Sequence, residues 1–200
     1  GESFTGADMA AVKEHESVTR HDVKAVELML RDKFAAGPLG EYLELIHFGL
    51  TSEDVNNVAE GLAFKEVRRD ILLPLINDTA NDLGKKAHTW ANIPMLSRTH
   101  GQPATPTTVG KEFAVYADRV REARANLESV AIYGKLNGAT GGYNAMVVAY
   151  PEVDWPVVCK QLVESFGLTH KRATTQIEPH DWMAHYLHSL SEVGNPLDDL

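Results

Sequence analysis

Three histidines stand in three separate polar islands: His21 in TRHDVKAVE, His47 at the head of HFGLTSEDVNN, and His100 in SRTHGQPATP. An imidazole titrates near pH ~6.5, so each could move a proton at neutral pH. His100 is flanked by Thr99, Gly101 and Gln102. Glycine lets backbone approach a ligand closely, and Thr99 and Gln102 add polar donors. That setting suits a general acid or base; it also suits a capping or structural loop histidine. Thr51 and Ser52 follow His47 at a predicted helix start. Helix starts expose unpaired amides and partial positive charge, which hold carboxylates and phosphates. The same two residues are equally ordinary N-caps. Arg20 could clamp an oxyanion through two parallel N–H bonds. Asp22 could orient His21 or simply favour the helix N-terminus. Gln176, after Thr174 and Thr175, could donate its amide to a carboxylate or a base edge, or serve as a plain surface residue.

Other chemistries find less support. His185 and His188 share a helix face, but His180 falls off it, and no cysteine or paired carboxylate completes a ligand set. No metal and no cofactor are expected. There is no GxGxxG, no phosphate-binding P-loop and no defensible Ser-His-Asp order. Cys159 lies among Val157, Val158 and Leu162, where a packed thiol is expected rather than a nucleophile. A single cysteine also leaves no intrachain disulfide, which suits a reducing compartment such as the cytoplasm. The net charge of −9 argues against a nucleic-acid surface. No apolar run approaches the ~20 residues of a membrane span.

The elements that must position these islands are helical. Val23, Val26, Leu30 and Phe34 recur at helical spacing until Gly37-Pro38. A second helix is expected from Thr51-Ser52, with Val55, Val58 and Leu62 on its apolar face, continuing past Pro74 with a kink to about residue 91. A third starts at Thr105 as N-cap with Pro106 at its first position. Its Val109, Phe113, Tyr116, Val120, Ala123, Leu127 and Val130 alternate four and three apart, a heptad seam of the kind that packs long bundle helices. The segment 134–151 is rich in Gly, Asn and Tyr and reads as an ordered loop or short hairpin. Helices over about 152–166 and from Pro179 to Val193 complete an all-α reading, one helical domain over 1–200 with no extended sheet.

TRHDVKAVE, HFGLTSEDVNN, LSRTHGQPATPTT, GKEFAVYADR, YGKLNGATGGYNA, YPEVDW and TTQIEPHDW together resemble the adenylosuccinate lyases, of the fumarase/aspartase superfamily, and most of all their bacterial branch. The resemblance implies a long-helix bundle and anti elimination of fumarate from adenylosuccinate, giving AMP. It also implies the same reaction on the succinylated aminoimidazole carboxamide ribotide of purine biosynthesis. It assigns His100 as the general acid that protonates the leaving nitrogen. Arg20, His21, Asp22, Thr51, Ser52 and Gln176 become substrate-binding residues, His47 a histidine near the site, and Thr99 and Gln102 residues that shape the His100 loop. It implies a homotetramer with active sites shared between subunits, so that the three histidines need not meet within one chain. A stretch of the type GSSxMPxKxN, implied source of the serine base, does not occur here. The family order places it beyond Leu200, so the chain is expected to be the central part of a longer lyase and inactive by itself. Two rivals remain: a non-catalytic helical assembly module, and another lyase of the superfamily such as argininosuccinate lyase.

Overall fold

The computed structural model describes residues 4–200. In chain order its helices are α1 (Gly6–Thr19), α2 (Asp22–Phe34), α3 (Ser52–Val67), α4 (Leu73–Thr89), α5 (Val109–Ser129), α6 (Asn144–Ala149), α7 (Trp155–Ser165), α8 (Asp181–Glu192) and α9 (Asn195–Asp198). The strands are short: β1 (Pro94–Thr99), β2 (Gln102–Thr108), β3 (Tyr133–Gly134) and β4 (Thr169–His170). The all-α class read from the sequence therefore holds. The described residues gather into two compact units. One comprises the chain up to Leu62 together with Tyr133–Pro179, the other Ala63–Ile132 together with His180–Leu200.

In the first unit, α1 is a helix that the apolar spacing does not announce. Thr5 and Asp8 set it up by a reciprocal cap: Thr5 Oγ1 accepts the Asp8 N–H at 3.2 Å, and Asp8 accepts the Thr5 N–H at 2.7 Å. Val12 of α1 packs with Ala25 and Met29 of α2. The two helices meet at Arg20, whose left-handed backbone (φ 53°) lets its N–H close α1 onto the Glu16 carbonyl. His21 caps α2, accepting the Lys24 N–H on Nδ1 at 3.2 Å. Further along, β3 runs parallel to β4. Gly134 sits where Val58, Val163 and Leu168 crowd in, so its end of this small pairing is packed among apolar side chains. Of the two forms read for 134–151, an ordered loop or a short hairpin, the structure takes the loop. That stretch is a loop ending in the short helix α6, whose Met146 packs on Cys159. Burial pushes the Cys159 thiol up to about 11, as a packed thiol requires.

In the second unit, a wide π-turn over Arg68–Leu72 leads into α4. Pro74 has no N–H, and its ring would strike the carbonyl four residues back. The widened turn, in which the Leu73 N–H reaches back to the Arg68 carbonyl, absorbs that misfit. Ile76, Ala80 and Leu83 of α4 and Ala117, Val120, Ala123 and Leu127 of α5 are buried. A Cβ on Gly110 would collide with the Ala87 carbonyl, so glycine there lets the two helices approach closely. Trp182 and Tyr186 of α8 set their rings edge-on to Phe64. Arg68 donates to the Leu127 carbonyl at 3.2 Å and the Val130 carbonyl at 2.6 Å, closing the C-terminus of α5. Val67, Ile71 and Leu75, four residues apart, stay exposed.

The start of the third predicted helix needs correction. Helix α5 begins at Val109, with Thr108 rather than Thr105 as its N-cap; Thr108 Oγ1 accepts the Lys111 N–H at 3.1 Å. The residues before it form β2, paired antiparallel with β1 from Pro94↔Thr108 to Thr99↔Gln102. Pro103 and Pro106 hold the residues that precede them, Gln102 and Thr105, in extended backbone, which is a strand preference and not a helix start. The register shifts between Leu96 and Arg98, opposite the stretch between Pro106 and Pro103.

Candidate active site

The first unit assembles most of the predicted substrate-binding residues. Helix α3 begins at Ser52, which leaves Thr51 in the N-cap position. Asp54, in its first turn, accepts the Thr51 N–H at 2.9 Å. The Thr51 hydroxyl meets Gln176 Nε2 at 3.2 Å, across 125 residues of sequence. Beside it, Ser52 Oγ lies 3.2 Å from His21 Nε2. The geometry selects a tautomer for neutral His21. Nδ1 accepts the Lys24 N–H, so the proton sits on Nε2 and is donated to Ser52 Oγ. Asp22 lies 3.3 Å from Nδ1 and becomes an ion partner only if the ring is protonated. Arg20, His21, Ser52 and Gln176 thus come from the α1–α2 junction, the α3 start and the loop after β4.

His47 takes a left-handed backbone (φ 65°) and places Nδ1 3.1 Å from Glu27, a largely buried carboxylate of α2. Burial alone would raise the Glu27 carboxyl. Hydrogen bonds from Lys24 and His47 outweigh it, and the group lies below its ordinary value. An ionised Glu27 fixes the His47 ring, whose buried Nε2 has no hydrogen-bond partner among the described residues.

His100 belongs to the second unit. With Gly101 it forms the two-residue tip of the β1–β2 hairpin, closed by the Thr99↔Gln102 pair. Both tip residues have positive φ, 51° and 73°, the pattern of a type I′ turn. Histidine tolerates that backbone better than a β-branched residue would. The imidazole is exposed at the tip, and Thr99 and Gln102 set the turn that carries it.

Several buried polar residues behind these contacts escaped the sequence reading. Asp54, Asn57, Lys135 and Asn137 are almost completely buried. One signal was available: Thr51-x-x-Asp54 has the spacing of a capping box. Nothing in the local sequence marks Lys135 as buried. Among the described residues, no group of three or more His, Cys, Asp or Glu side chains could hold a metal ion.

Residues 2–200 match the protein family described as Lyase. The chain belongs to this lyase family. It is 44% identical over 198 residues to adenylosuccinate lyase of Escherichia coli K12, covering 98% of this chain and 43% of that protein. It is 44% identical over 199 residues to the Vibrio cholerae enzyme of the same name, covering 98% and 44%. The Legionella pneumophila (strain Corby) enzyme is 43% identical over 198 residues, covering 98% and 43%. The chain thus spans less than half the length of these curated relatives. Among solved structures, the 3-carboxy-cis,cis-muconate lactonizing enzyme of Pseudomonas putida superposes with a TM-score of 0.72 at 20% identity, over 99% of this chain and 43% of that one. That likeness speaks to the fold alone. The resemblance to adenylosuccinate lyases, and so to the fumarase/aspartase superfamily, is shared along nearly the whole chain and not only at the histidine islands. No helix among the described residues is long and apolar enough to cross a membrane.

Proposed function

We propose that this chain is part of an adenylosuccinate lyase, which splits adenylosuccinate into AMP and fumarate and treats the succinylated aminoimidazole carboxamide ribotide in the same way. The observation that carries the reading is the meeting of Gln176 with Thr51 at the start of α3, beside the Ser52–His21 contact. A helix start with two hydroxyls and a side-chain amide, beside the α1–α2 junction that carries Arg20 and His21, is a set of donors for carboxylates. Elimination beside a carboxylate builds a second negative charge on it, so donors aimed at that group lower the barrier most. The nitrogen leaves poorly unless protonated, which is the task given to His100. Arg20, His21, Asp22, Thr51, Ser52 and Gln176 bind the substrate, His47 stands near the site, and Thr99 and Gln102 shape the His100 turn. The base is a serine supplied by another part of the whole enzyme, so the 200 residues by themselves are inactive.

The same reading makes the enzyme a cytoplasmic homotetramer whose active sites draw residues from several subunits. The exposed Val67, Ile71 and Leu75 support it, since a long helix with an apolar stripe favours association. The deciding experiment is fumarate release from adenylosuccinate by the whole enzyme, with argininosuccinate as the competing substrate. Turnover of argininosuccinate alone would assign the chain to a different lyase of the superfamily, and turnover of neither would favour an assembly role.

A further inference from the structure

Asp54 and Lys135 are both fully buried, and Lys135 Nζ lies 2.9 Å from the Asp54 carboxylate. The carboxylate is saturated. Besides Lys135 it accepts the N–H groups of Thr51 (2.9 Å), Asn137 (3.2 Å) and Gly138 (3.0 Å). Lys135 Nζ also donates to the Gly138 carbonyl at 3.2 Å. Asn57, one turn further along α3, grips the Lys135 backbone in both directions: it accepts the Lys135 N–H at 2.8 Å and donates to the Lys135 carbonyl at 3.2 Å. The network then leaves the buried pair. Asn137 Nδ2 donates to Thr174 Oγ1 at 2.8 Å, two residues before Gln176. A Cβ on Gly141 (φ 75°) would run into the Thr174 carbonyl, so the 138–142 loop lies directly against that stretch.

A buried ion pair is weak as a source of stability, because desolvation cancels much of its attraction; apolar replacements are often neutral or better. A buried network built on a fully partnered carboxylate instead fixes one arrangement of the segments that it joins. Here it joins three. The α3 start carries Thr51 and Ser52, the 174–176 stretch carries Gln176, and the 135–138 stretch bonds to both, through Asp54 and through Thr174. We propose that the buried Asp54–Lys135 pair is the positioning device of the site, holding the α3 start and, through Asn137 and Thr174, the Gln176 loop at the spacing that the substrate's carboxylate requires. The proposal rests on the substrate-binding reading above. Asp54 and Lys135 are positioning residues, buried behind the groups that touch substrate.

The test uses the whole enzyme and reads KM, kcat and thermal stability together. Lys135→Met keeps the aliphatic stem and removes the charge. The expected result is a rise in KM for adenylosuccinate of about tenfold or more, the size of a lost charge-assisted contact. A merely structural pair would lower stability and the yield of active enzyme but leave KM within about twofold of the parent, because KM does not depend on how much enzyme is folded; that result overturns the proposal. If Lys135→Met does not fold, Thr174→Val decides. It removes the Thr174 hydroxyl at a half-buried position, cutting the Asn137–Thr174 link together with the hydroxyl's neighbouring bond to the Thr175 carbonyl, and should raise KM about fivefold. It should also combine non-additively with Gln176→Ala. Unchanged KM, or strictly additive effects, overturns the proposal. Gln176→Ala and Ser52→Ala separate the two levels. If neither moves KM, the substrate-binding reading itself falls. If both move it while Lys135→Met and Thr174→Val do not, only the positioning role falls.

Discussion

Ser52→Ala separates substrate binding from helix capping. A serine at a helix start is ordinarily a cap, and losing a cap costs about 0.5–2 kcal/mol of stability. Here the cap position is Thr51, and the Thr51 N–H is already taken by Asp54 at 2.9 Å. Ser52 is the first residue of α3, and its hydroxyl makes one hydrogen bond, to His21 Nε2 at 3.2 Å between half-exposed side chains. Its removal should therefore cost no more than about 0.5 kcal/mol, the range of a substitution that breaks no cap and leaves no buried polar group unpaired. Binding should respond differently. A hydroxyl donating to a substrate carboxylate is a charge-assisted bond, worth about 1.5–3 kcal/mol. At 1.4 kcal/mol per factor of ten, that is a rise in KM of about tenfold to a hundredfold. Initial rates of fumarate release by the whole enzyme, set beside its thermal midpoint, read both quantities. A variant with unchanged KM and a midpoint lowered by a full cap's worth would show that Ser52 serves α3 and not the substrate.

His100→Asn keeps a residue tolerant of positive φ at the hairpin tip, so the turn survives; kcat should fall about 100-fold or more with no loss of thermal stability, and near-normal turnover would remove His100 from the acid role. Cys159, buried with its thiol pushed up to about 11, should resist a thiol reagent at mildly alkaline pH in the folded chain and react fully once denatured; rapid labelling of native protein would contradict its packing on Met146. Hydrogen bonds from Thr5 and then Lys33 hold the Asp8 carboxyl down at about 2, below its ordinary 3.8. A lowered carboxyl contributes stability that is fully present above the ordinary value and is lost as pH falls from about 4 to about 2. Asp8→Asn should flatten that part of the stability–pH curve, and a curve identical to the parent's would show that Asp8 is unperturbed in the folded state.

The helices were legible where burial imposes helical spacing. The seam from Val109 to Leu127 gave α5, because it must present one face to a neighbouring helix. The spacing from Val23 to Phe34 located α2 but not its buried face, since Val26 is exposed and Ala25 and Met29 meet α1. Helix α1 escaped because only Val12 of its fourteen residues is buried, so its signal lay in the Thr5–Asp8 cap and not in periodicity. The misplaced start of α5 has a similar cause. Proline suits both the first turn of a helix and an extended strand, and the Pro- and Thr-rich stretch 103–108 carries no apolar alternation to decide between them. The partner strand from Pro94 to Thr99 decides it, and pairing between strands is not a local property. At Pro74 the position of the disturbance was readable, but its form as a π-turn depends on how α4 must continue against α5.

For the candidate site, the residues proposed to bind substrate were easier to read than the buried ones behind them. His21, Thr51, Ser52 and Gln176 advertise themselves, since polar side chains beside helix starts and in Thr-rich loops are where ligands are met. That Gln176 reaches Thr51 across 125 residues is a consequence of topology. Asp54 and Lys135 look locally like any charged pair on a solvated helix or loop, and their complete burial could not be inferred from type, because lysine and aspartate are almost never fully buried unless paired. Desolvating both is worthwhile only if the pair secures something that apolar packing cannot, and here it binds three backbone N–H groups to one carboxylate. An apolar replacement would fill the same volume but leave the Thr51, Asn137 and Gly138 amides without an acceptor, at about 1–3 kcal/mol each. The arrangement of those amides, and with it the spacing between the α3 start and the Gln176 loop, is therefore what the buried charges maintain. A fold can tolerate losing that spacing; a site that grips one carboxylate from two chain segments, as proposed, cannot.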